Sequence, residues 1–130
     1  MAPMMTQEQP TFREAVLMAF VGASLAIASI IHLLGPGDGS KPFRGDGAGI
    51  AEAIICVVLL GGVAILVADP IRGRTAALWA TAFSVFGFLV GLSFTLRGGS
   101  PADVIYHLAI LPVLIVTLVR LLRRESLRAP

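Results

Sequence analysis

The stretch SPADVIYHLAILPVLIVTLVRLL, Ser100–Leu122, is about the length an α-helix needs to cross a bilayer, ~20 mostly apolar residues. Its start is written as a helix start. Ser100 is a good N-cap, Pro101 suits the first helical position, and Asp103 can close a capping box at the favourable end of the helix dipole. One turn later come Tyr106 and His107, then a proline inside the apolar run. Pro112 has no N–H to give the carbonyl of Leu108, so a kink is expected beside His107. The helix is predicted to span, and what other segments place opposite His107 becomes the functional question.

Three further runs of the same kind surround it. The four are Phe12–Leu34, Gly49–Ala68, Thr75–Leu96 and Ala102–Leu122, in a chain of 130 residues. Only 14% of residues are charged, against about 25% in a soluble domain, and the mean hydropathy is +0.88. The expected fold is all-α: a polytopic, up-down four-helix transmembrane bundle forming one membrane domain over residues 1–130. Crossing consumes nearly the whole chain, which leaves no separate soluble catalytic domain. The start, MAPMMTQEQPTFREAV, lacks the positive region of a cleavable signal, so the first run is read as a span.

Basic residues set the orientation. Arg13, Arg72, Arg74, Arg120, Arg123, Arg124 and Arg128 fall on one side; Lys41, Arg44 and Arg97 fall on the other. Seven against three puts both termini in the cytoplasm of a cell (plasma or inner) membrane. The net charge of +2 therefore reads as orientation, not nucleic-acid binding. Trp79 and Tyr106 fall near opposite interfaces, where an aromatic belt accounts for both.

Small residues predict the packing. Gly22/Ala26, Ala19/Ala23 and Gly87/Gly91 have the spacing that lets helix backbones approach closely, and Gly61-Gly62 lies mid-span. Gly35-Pro36-Gly37 and Asp69-Pro70 stop the first and second helices. The glycine-rich connection Gly35–Ala48 reads as a mobile loop.

Alternating spans bring four points into the outer leaflet: the end of span one, the start of two, the end of three and the start of four. His32, Glu52, Ser93, Thr95, Asp103, Tyr106 and His107 lie there, with Cys56 one turn below Glu52. At 1.5 Å per residue, His107 and Cys56 each sit roughly 9–10 Å deep, so His107 should be the most buried of the set. Ionisable groups at such depth face the bundle interior or water and are candidates for function.

Three chemistries remain open. A transition metal suits His32, Glu52 and His107, with Cys56 as a soft fourth ligand and Asp103 orienting the His107 ring. Haem b suits the two histidines as axial ligands. A small polar ligand or proton suits His32, Glu52, Asp103, Tyr106 and His107 as a shared pocket. No HExxH, paired CxxC or CxxCH motif occurs, and the reading is of a non-enzymatic protein. The alternatives are an accessory subunit packed on a larger membrane complex or a homo-oligomer, and then a small transporter.

SIIHLL at 29–34, GAGIAEA at 47–53 and YHLAILP at 106–112 give the chain a pattern that resembles small four-span integral membrane proteins of bacteria. That resemblance covers most of the chain and implies the four-span fold, with no established activity. Small multidrug-resistance transporters share the length and span number, but their essential glutamate lies mid-span in the first helix, whereas Glu14 here falls at the boundary.

Overall fold

A computed structural model describes residues 11–35 and 47–126, with side chains through Arg123. The polar tails and most of the Gly35–Ala48 connection, with Lys41, Arg44 and Arg128 of the charge tally, lie outside the described residues, as does the Arg124 side chain. Four helices form: α1 (Phe12–Leu34), α2 (Gly47–Ala68), α3 (Gly73–Gly98) and α4 (Pro101–Ser126). Each is long and apolar enough to cross a membrane, and no strand occurs among the described residues.

The punctuation marks act as expected. The Gly35 N–H bonds back to the Ile31 carbonyl at 2.8 Å, after which the backbone turns extended. Asp69 Oδ1 accepts the N–H groups of Ile71 and Arg72, both at 3.0 Å, which closes the α2–α3 turn. Ser100 Oγ accepts the Asp103 N–H at 3.2 Å and donates to Asp103 Oδ2 at 2.7 Å. α4 continues through Pro112 as one helix.

α2 starts at Gly47, two residues before its apolar run, which moves Glu52 out of the first turn and about 3 Å deeper. The start of α2 packs closely on the end of α1 at Gly49. A Cβ there would lie 2.9 Å from Leu33 Cγ and 3.1 Å from His32 Cβ. Ser29 Oγ also donates to the Gly49 carbonyl at 2.8 Å, which binds the end of α1 to the start of α2.

Consecutive helices pack antiparallel, and α1 closes the ring against α4 with the least extensive contact. The sequential seams use glycine. Gly22 seats Leu60, Gly62 seats Ala80, Gly87 seats Ile55 and Gly91 seats His107, each so closely that a Cβ would come within 2.8 Å of its neighbour. Gly61 faces open space, so only Gly62 of that pair makes a helix contact. Gly22 is buried while Ala23 is exposed, so Gly22/Ala26 points inward and Ala19/Ala23 does not present both members to the core. Met18, Leu25, Leu59, Leu66, Leu114 and Leu121 fill the interior. Large apolar side chains such as Phe20, Val57, Trp79, Phe86 and Ile105 cover the outside, so the helices are apolar both inside and out.

In the α1–α4 seam, hydrogen bonds between two side chains cross at three levels. Glu14 meets Arg120, Ser24 meets Tyr106 and His32 meets Asp103.

Candidate functional site

The end of α1, the start of α2, the end of α3 and the start of α4 surround a cleft of about 340 Å³. Among its lining residues are His32, Glu52, Thr95, Arg97, Asp103 and His107. The centre is His32. The last turn of α1 directs its ring across both neighbouring helices. Nδ1 lies 2.7 Å from Glu52 Oε2 on α2, and Nε2 lies 3.2 Å from Asp103 Oδ1 on α4. A chain of three ionisable groups thus joins three helices.

Two proton arrangements satisfy this geometry. An imidazolium donates to two carboxylates, or a neutral ring donates to one and accepts from the other, protonated, carboxyl. Either way the Glu52–His32–Asp103 chain holds a transferable proton, and with both carboxyls ionised it carries one net negative charge. Ser100 steadies the far end through its bond to Asp103 Oδ2.

Glu52, at 7% exposed, is the buried member, while His32 and His107 are half-buried. This reverses the expectation from depth. Rotation of α2 turns Glu52 onto the α1 seam beside Gly49, whereas His107 opens onto the cleft between α3 and α4. Its orientation also comes from a different atom than expected. His107 Nδ1 lies 2.7 Å from the backbone carbonyl of Asp103, one turn earlier on the same helix, because the Asp103 carboxylate is engaged with His32. A carbonyl only accepts, so Nδ1 bears the proton and Nε2 is left as the acceptor. Nε2 faces Gly91, where a Cβ would lie 2.6 Å away. The ring packs on Phe88, with centroids 5.2 Å apart.

Two residues expected at the site lie elsewhere. The Cys56 thiol is buried in the α1–α2 seam and donates to the Gly22 carbonyl at 3.2 Å. The Tyr106 hydroxyl bonds Ser24 Oγ at 2.9 Å inside the α1–α4 seam, with its ring 5.9 Å from Phe88, so it belongs to the bundle interior and not to an aromatic belt. Among the described residues no group of three or more His, Cys, Asp or Glu is arranged to hold a metal ion. Placing an ion on His32 requires the ring to give up one of its two carboxylates, and the same holds for an axial bond to haem.

Charge at the opposite end is not evident from the spans. Glu14, in the first turn of α1, is fully buried, and Arg120 Nε of α4 donates to its Oε1 at 2.9 Å. Arg74, in the first turn of α3, is buried at that same end. The available signal was the interior stripe Glu14–Met18–Val21–Leu25, which carries the carboxylate onto the core face of α1.

No known protein family, curated protein or solved structure matches this chain.

Proposed function

We propose that the chain is an integral membrane protein whose working part is the His32 cleft, a binding site for a small polar ligand that exchanges a proton with the Glu52–His32–Asp103 chain. The observation that carries this reading is His32 held at 2.7 and 3.2 Å between carboxylates of two other helices. Ionisable groups inside a span are costly and mark ligand or proton sites by default. The Lys/Arg asymmetry supports termini in the cytoplasm and a cleft opening from the outer leaflet of the cell membrane. The small-ligand reading is preferred to a metal or haem because both His32 nitrogens are already engaged.

Thermal unfolding of the detergent-purified chain tests it, with wild type and the His32→Ala and Glu52→Gln variants compared in the presence of Zn²⁺, glycine and tetramethylammonium. A ligand present at about 100 times its Kd stabilises the folded state by about 2.7 kcal/mol. One probe should raise the wild-type midpoint and leave both variants unmoved. Equal responses in all three proteins would contradict the site. A protein indifferent to every probe that co-purifies with larger membrane subunits would favour the accessory role.

A further inference from the structure

The opposite end of the bundle carries a second site. Glu14 has 0% exposure and lies on the stripe that buries Met18 and Leu25. Its carboxylate accepts a bond from Arg120 Nε, at 2.9 Å, while the Arg120 side chain remains 35% exposed. A guanidinium has five N–H donors in a rigid fork. The bond through Nε fixes the plane of that fork and leaves the four N–H groups of the terminal nitrogens outside it.

A buried ion pair by itself adds little stability, because desolvation of both charges offsets their attraction. Holding an arginine fork at a fixed angle is a use that a pair of apolar residues cannot serve. The surroundings fit one kind of target. Arg13, Arg72 and Arg123 lie at the same end of the helices. Val116, one turn toward the middle of α4 and on the same face as Arg120, is an exposed apolar residue. Positive charge at the helix end above an apolar face matches a phosphate above an acyl chain.

We infer that this end binds the headgroup phosphate of an anionic phospholipid through the Arg120 fork, with Glu14 as the positioning residue that aims it. The inference rests on the membrane embedding proposed above. A fork pre-set by a buried carboxylate offers two parallel N–H donors to phosphate oxygens, which a mobile lysine does not.

Alkaline carbonate extraction of the membranes comes first. A chain that washes out fails the membrane reading itself, and one that stays is then purified. Native mass spectrometry compares retention of phosphatidylglycerol and phosphatidylcholine by wild type, Arg120→Lys and the Glu14→Gln/Arg120→Gln double variant. The double variant keeps a neutral hydrogen-bonding pair, so the bundle folds. Wild type should retain phosphatidylglycerol about tenfold more than the double variant, the scale of one lost charge-assisted contact. Arg120→Lys should fall between, and phosphatidylcholine should not discriminate among the three. Equal phosphatidylglycerol retention by the double variant would overturn the site while leaving the embedding intact. Displacement of the lipid by millimolar inorganic phosphate would show a site for free phosphate and overturn the lipid assignment.

Discussion

The two ends of the bundle hold charge in opposite ways. At the Glu14 end a carboxylate is wholly buried and accepts a hydrogen bond from the Arg120 guanidinium. At the His32 end two carboxylates share one imidazole around an open cleft, and two of the three groups keep contact with solvent-sized space. Packing follows the same division. Gly73, next to the first end, is pressed on α2 backbone, with a Cβ position 2.5 Å from both the Ile65 carbonyl and Leu66 Cα. Gly91, next to the second, faces only the tip of the His107 ring. One end is rigid and closed; the other is adjustable and reachable. A site that must take up and release a ligand belongs at the second.

The largest effect should come from unmatching the closed end. Arg120→Ala removes the guanidinium from a wholly buried carboxylate and should cost about 3–5 kcal/mol, whereas the Glu14→Gln/Arg120→Gln double variant should lie much closer to wild type. Denaturation in detergent reads both. Equal losses would mean that Arg120 acts by packing alone.

Glycine substitutions probe the same division at smaller scale. Gly73→Ala drives a methyl into backbone that cannot yield and should cost about 1–3 kcal/mol. Gly91→Ala meets a side chain that can swing and should cost less than Gly73→Ala while displacing His107, visible as a shifted imidazole resonance. Gly61→Ala faces open space and should be neutral or slightly stabilising, since alanine is the better helix former by about 1 kcal/mol. If Gly91→Ala proved the costlier of the first two, the adjustable character of the open end would be wrong.

The smallest effects belong to the hydrogen bonds of the α1–α4 seam. Ser24→Ala and Tyr106→Phe should each cost about 0.6 kcal/mol, the usual worth of such a bond between membrane helices.

The helices were legible because the apolar runs are long and their stops are chemical: Gly35, Asp69 with Pro70, and Ser100 with Pro101. The grouping of His32, Glu52 and Asp103 at one end follows from alternation of the spans alone. Rotation was not legible. α2 is apolar on nearly every face and says little about which side turns inward, so the placement of Cys56 in a seam, and of Glu52 below His107 in exposure, required the packed bundle; Tyr106 reads as an interfacial aromatic until its Ser24 partner on α1 is known. Glu14 was missed for a related reason. Near the end of an apolar run a carboxylate reads as interfacial, and its partner lies 106 positions away in sequence. Arg120 looked like the basic flank of a span until α4 was seen to run on to Ser126.

The proposed orientation has the open His32 end facing outward and the Glu14 end facing the cytoplasm. Cysteine labelling in intact cells measures this directly, in a Cys56→Ser background whose hydroxyl keeps the bond to the Gly22 carbonyl. Thr95→Cys, in the cleft, should react with a membrane-impermeant maleimide added outside, and Ile71→Cys, exposed in the α2–α3 turn, should react only after the cells are permeabilised. Labelling of Ile71→Cys from outside with Thr95→Cys protected would contradict the orientation, and protection of Thr95→Cys even after permeabilisation would contradict the open cleft.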